Sequence, residues 1–152
     1  MCPWAHPASN LTAPLPISHV SNMAIQYAPQ SGSIILCDYG GIIPEMTTRR
    51  PVVVVASVSD NLCMVVPLST TPPKRVQPWH VKIELEEPLP CPYEEMTCWA
   101  KCDMVSSVAF FRLNLLRGGK AYGKRVYLER RISEADLEAI RSAIWQAVSF
   151  RR

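Results

Sequence analysis

Five short segments rich in β-branched and other apolar residues succeed one another between residues 32 and 105, and each is too short to make an ordinary buried helix. GSIILCDYG (residues 32–40), PVVVVAS (51–57) and NLCMVVPLS (61–69) read as buried strands. In WHVKIEL (79–85), Val81, Ile83 and Leu85 alternate with His80, Lys82 and Glu84, the pattern of a half-buried strand. Pro72, Pro73 and Pro78 make the stretch before it a loop. MTCWAKCDMV (96–105) also reads as a strand, with Cys98, Ala100, Cys102 and Met104 on one face and Trp99, Lys101, Asp103 and Val105 on the other. That alternation predicts that Lys101 and Asp103 project together. Strands so closely spaced, with no regular alternation of strand and helix, predict a compact antiparallel barrel or sandwich. One helix follows. Ser133 is its N-cap, Asp136 stands at N3, and Leu137, Ile140, Ile144 and Val148 recur at helical spacing to form a stripe packed on the barrel. Trp145 reads as core or interface packing.

The 152-residue length suits one domain with a real core. Residues 1–30 contain no Lys, Arg, Asp or Glu and are punctuated by Pro3, Pro7, Pro14, Pro16 and Pro29. We read residues 1–28 as a proline-rich, poorly ordered arm and residues 29–150 as the folded domain. Met23 opens MAIQYAPQSG just before the first strand, so the fold is expected not to depend on residues before it. No apolar run approaches the roughly 20 residues that span a bilayer, and the amino terminus lacks the basic start and apolar stretch of a secretory signal. A soluble, cytoplasmic protein is expected. In that setting the six cysteines are expected as thiols rather than disulfides. Cys91, Cys98 and Cys102 form no CxxC pair and no histidine stands at ligand spacing, so neither a metal site nor a cofactor is expected.

The net charge of +3 is small but uneven. RGGKAYGKRVYLERR (117–131) holds six basic residues and one acid, with Tyr122 and Tyr127 interleaved. Cations that hold phosphates and tyrosines that stack on bases suit single-stranded nucleic acid; a basic, solvated hairpin is the plainer reading. A second charged segment, EMTTRRP (45–51), is set between two core strands, where a loop is a natural functional site.

In this order, the glycine-led first strand ending in Asp38, the Arg50-Pro51 opening of the second strand, the VVPLST end of the third and the phrase WAKCDMVSSV resemble the MazF/PemK family of toxin–antitoxin toxins. The resemblance covers about residues 25–150. It implies a mainly β fold with packed helices, an SH3-like small β-barrel of the PemK/MazF/CcdB type with a C-terminal helix, assembled as a homodimer. It also implies sequence-specific, metal-independent cleavage of single-stranded RNA, and an antitoxin protein as partner. Carried over position by position, the expected catalytic residues are Arg50, Glu45, Ser69, Asp103 and Lys101. Arg49, Thr48, Thr70, Lys74 and Arg75 are the expected RNA contacts. Lys101 stands where PemK-like members carry arginine, which keeps the charge but loses the planar fork. In such a site Arg50 would stabilise the charged phosphorane, and Glu45 or Asp103 would take the proton of the attacking 2′-hydroxyl. The alternatives are an inactive member that binds RNA or protein, or a gyrase-poisoning toxin of the same fold. That last branch works through its C-terminal helix and lacks the Arg/Glu/Ser/Asp set.

Overall fold

The computed structural model describes residues 24–150. Ten strands and one long helix follow in chain order: β1 (Ser33–Asp38), β2 (Arg49–Ser59), β3 (Leu62–Ser69), β4 (His80–Glu84), β5 (Thr97–Lys101), β6 (Ser106–Ala109), β7 (Leu113–Asn114), β8 (Leu116–Ala121), β9 (Lys124–Leu128), β10 (Arg130–Arg131) and α1 (Glu134–Ser149). The main sheet runs β10-β1-β2-β3-β5-β4, with β6 added to β3 and β7 to β1; β8 and β9 form a separate hairpin. All of its pairings are antiparallel. β3 carries the curvature: residues 62–65 pair with β6, whereas Leu68 and Ser69 pair with β5. The mainly antiparallel sheet with a C-terminal helix is the expected architecture, although its hydrogen-bonded path from β10 to β4 stays open.

The uninterrupted apolar runs have a direct cause, since β1, β2 and β3 are covered on both faces. Ile34, Leu36, Val53, Val55, Val66 and Leu68 pack with Ile83, Cys98 and Ala100 and with Ile140 and Ala143 of the helix. Their neighbours Ile35, Cys37, Val52, Val54, Cys63 and Val65 pack on the other side with Val108, Phe110 and Leu113. Ile25 joins this second cluster, and its amide donates to the Leu113 carbonyl at 3.1 Å. The chain is therefore docked from about residue 25, inside the stretch expected to be an arm; residues 1–23 of that stretch lie outside the described residues.

The fifth apolar segment departs from expectation. Its strand ends at Lys101, and residues 102–104 turn through a 3₁₀ helix before β6 begins. Cys102 stays buried in the turn, so the apolar pattern survives while the strand does not. Lys101 and Asp103 consequently do not share a strand face. Ser133 caps the helix as its sequence predicts: its Oγ accepts from the Asp136 amide at 3.1 Å and donates to the Asp136 carboxylate at 2.8 Å. The buried stripe is shorter than expected. Leu137, Ile140 and Ala143 are covered, whereas Trp145 is 69% and Val148 66% exposed. A 16-residue helix is about 24 Å long, longer than the short strand β4 beneath it. No helix among the described residues is long and apolar enough to cross a membrane.

Candidate functional site

Paired residues in an antiparallel ladder lie on the same face, and this register assembles one end of the sheet. Arg50 pairs with Cys37, Val52 with Pro67, Ser69 with Trp99, Lys101 with His80, and Val65 with Ser106. Stepping by two along each strand places Arg50, Ser69, Lys101 and Ser106 on one common face. Tyr39, just past the end of β1, packs in the cluster beneath that face.

Two clefts open there. The first, of about 210 Å³, is lined by Thr48, Arg49, Arg50, Pro51, Leu68, Ser69, Thr70, Thr71 and Tyr93. Arg50 lines it, and the Arg50 Nε is buried with no hydrogen-bond partner among the described residues. Glu45, expected in the same site, is not paired with it among the described residues. Ser69 is almost fully buried and closes a turn, its Oγ donating to the Thr71 carbonyl at 3.0 Å and accepting from the Thr71 amide at 3.2 Å. Lys74 and Arg75 sit on the exposed loop beyond and do not line the cleft.

The second cleft, of about 530 Å³, takes Glu45 and Asp103 together with Tyr39, Met104, Ser106 and Arg112. The turn at residues 102–104 thus carries Asp103 away from Lys101 and toward the loop that holds Glu45. That loop is compact: the Gly41 amide donates to the Met46 carbonyl and the Glu45 amide to the Ile42 carbonyl. A Cβ on Gly41 would collide with the Met46 carbonyl oxygen, so glycine is required there. The Glu45 carboxylate turns back on its own loop, accepting a long 3.5 Å bond from the Ile42 amide. Asp103 is exposed and has no such partner among the described residues. Arg112 is pinned by donating to the Tyr39 carbonyl. The hydroxyls of Tyr39 and Ser106 are buried without a hydrogen-bond partner in good geometry. Burial pushes the Tyr39 phenol far above its usual range, an effect partly offset by the nearby Ser106 hydroxyl and Arg50 guanidinium. Burial also raises the Tyr93 phenol of the first cleft, an effect partly offset by the Arg49 and Arg50 guanidiniums.

Arg49 has a different environment from its neighbour. It grips Asp38 through two bonds of 2.6 and 2.8 Å, and Asn114 Nδ2 adds a third to the same carboxylate at 3.2 Å. Above all the Arg49 hydrogen bonding holds the Asp38 carboxyl below its usual range. The Tyr93 hydroxyl donates to the Arg49 carbonyl at 3.0 Å, tying the loop after β4 to the start of β2. Arg49, expected to contact RNA, is thus committed to a protein carboxylate.

Tyr39, Tyr93, Ser106 and Arg112 line these clefts without having been singled out from the sequence. Tyr39 immediately follows Asp38 and Ser106 follows the Cys-Asp phrase, which is the only local signal either carries. Among the described residues, no three His, Cys, Asp or Glu side chains converge as a metal site. Burial pushes the Cys37 and Cys102 thiols up to about 12 and those of Cys63 and Cys98 up to about 11, so these four behave as apolar core groups.

Comparison with known proteins agrees with this architecture. The family of PemK-like, MazF-like toxins of type II toxin–antitoxin systems matches residues 30–148. YifN, an uncharacterised protein of Escherichia coli (strain K12), is 32% identical over 126 residues, which cover 66% of this chain and 81% of YifN. MazF from Deinococcus radiodurans shares the fold with a TM-score of 0.56 at 16% identity, over 82% of this chain and 99% of that one. A mycobacterial endoribonuclease solved with its cognate antitoxin gives 0.53 at 19% identity, over 82% and 99% of the two chains. The structural likenesses establish the fold, and the family match over nearly the whole folded region establishes membership: the chain belongs to the PemK-like, MazF-like toxins of type II toxin–antitoxin systems.

Proposed function

We propose that this toxin is a sequence-specific endoribonuclease that cleaves single-stranded RNA by attack of a 2′-hydroxyl on its own phosphate, without a metal ion. The observation that carries the reading is Arg50, which lines an open cleft while its buried Nε is paired with no group among the described residues. A buried donor is costly to leave unpaired, and a planar guanidinium matches the oxygens of a phosphate. Arg50 therefore stabilises the phosphorane, with Lys101 adding positive charge from the same sheet face. Asp103, open to solvent and unpaired among the described residues, takes the proton of the 2′-hydroxyl. Glu45 lies across the same cleft and braces the loop around it. Ser69 holds the turn that presents Thr70, and Thr48, Lys74 and Arg75 contact the flanking strand. As the O2′–P bond forms the P–O5′ bond breaks, and the leaving 5′-oxygen takes up a proton from solvent, giving a 2′,3′-cyclic phosphate and a free 5′-hydroxyl.

The reading extends to a homodimer in the cytoplasm, silenced by an antitoxin whose disordered segment competes for the RNA-binding face. Purified protein incubated with mixed single-stranded RNA and a chelator tests the activity. Cleavage at a defined sequence, lost in Arg50→Ala, is expected; binding without cleavage across varied sequences would sink the proposal.

A further inference from the structure

The β8–β9 hairpin stands apart from the main sheet, and its tip is built in an unusual way. Ala121 pairs with Lys124, leaving a two-residue turn of Tyr122 and Gly123. Both have positive φ, 52° and 75°, the geometry that suits hairpin twist and is normally supplied by Asn-Gly or Asp-Gly. Tyr122 is the one non-glycine residue with positive φ among the described residues, and a bulky side chain in that region is disfavoured. Its ring is fully exposed, at 105% of the reference area. The chain thus holds an aromatic ring in a strained backbone conformation and directs it into solvent, a combination that points to function rather than packing.

The charges around the ring repeat the theme. Lys120 and Lys124 flank it and are exposed, and no Asp or Glu occurs between Arg117 and Leu128. Lys120 stands directly opposite Arg125 in the ladder. At the base of the hairpin Arg117 adds positive charge toward the Asp38 carboxylate that Arg49 grips. We propose that the hairpin tip is a binding arm for single-stranded RNA, in which Tyr122 stacks on an unpaired base while Lys120 and Lys124 contact its phosphates. The assignment rests on the nuclease reading for its substrate. An acidic polypeptide would answer the lysines but gives no reason for the strained ring, whereas stacking on a base does.

Binding of the wild-type chain to 2′-O-methyl oligouridylate, which cannot be cleaved by 2′-hydroxyl attack, tests the arm separately from catalysis. Tyr122→Asn is expected to weaken binding roughly tenfold or more while its melting temperature stays level or rises, since asparagine suits the turn. Tyr122→Phe should bind like the wild type. Lys120→Gln with Lys124→Gln should lower the slope of log K against log salt by about 1.4, or about 0.7 for each phosphate no longer neutralised. Unchanged affinity in Tyr122→Asn, an equal loss in Tyr122→Phe, or an unchanged salt slope overturns the arm even if the wild type cleaves RNA. Ring-dependent binding by a protein that cleaves no RNA would instead uphold the arm and remove the nuclease.

Discussion

Arg49 and Arg50 are consecutive residues at the start of β2, and the regions around them are opposites. The Arg49 region is closed: Asp38 receives two bonds from the guanidinium and one from Asn114. The Arg50 region is open: among the described residues its buried Nε has no partner, and the nearby buried hydroxyls of Tyr39 and Ser106 have none in good geometry. Alternation along the strand sends the two side chains to opposite faces, so one meets a carboxylate and the other does not. The difference teaches that the same strand end carries one arginine spent on holding the sheet together and one left over for the cleft that it lines.

Arg50→Met is the sharpest way to break that contrast. It should reduce RNA cleavage by about 10²–10³-fold, the usual cost of losing one preorganised charge-stabilising donor. Because it also removes an unmet buried donor, the melting temperature should not fall. Activity retained, or a clear loss of stability, would place Arg50 with Arg49 as a structural residue.

Ser69→Ala comes next. It removes both bonds that close the turn on Thr71, so denaturant unfolding should show a loss of about 1 kcal/mol, and cleavage should fall less than in Arg50→Met.

Asp38→Asn probes the closed region and should cost no more than about 1 kcal/mol, because the pair is more than two-fifths exposed and screened by salt. The pH dependence has a definite sign. Asp38 titrates below its ordinary value of 3.8 in the folded protein, so its contribution is full above that value and is lost as pH falls through the folded pKa. The wild-type and Asp38→Asn stabilities should therefore converge in acid. A gap that widens in acid would mean that the carboxylate is not stabilised by Arg49.

The smallest effect is on thiol chemistry. In a Cys2→Ser background, a thiol reagent at neutral pH should modify Cys91 rapidly, since it is exposed, and reach Cys37, Cys63, Cys98 and Cys102 only on unfolding. Fast labelling of a second cysteine would show that the sheet opens locally.

Much of the scaffold was legible because burial on both faces writes itself as unbroken apolar sequence, as in Val52 to Val55. The helix start was legible because Ser133 and Asp136 stand at capping distance. Position 103 was not. Cys102 is buried whether the chain continues as a strand or turns, so the alternation could not reveal the 3₁₀ turn that moves Asp103 into the cleft of Glu45. Nor could the sequence separate the two arginines physically. Their fates depend on the β1–β2 register, which places Asp38 opposite Arg49, and the choice of Arg50 came from family resemblance. The buried hydroxyls of Tyr39 and Ser106 were beyond reach for the same reason, since only the folded sheet brings those two positions near each other.

The branching of β3 has a dynamic consequence. It shares backbone hydrogen bonds with β2, β5 and β6, so its amides should exchange with solvent only when much of the sheet separates, whereas the tip of the β8–β9 hairpin lies outside the main ladder and can fray without breaking it. Ser69 ends a strand held by three neighbours, and Tyr122 tips a two-stranded ribbon. A strand of RNA held by both would span a rigid anvil and a compliant finger.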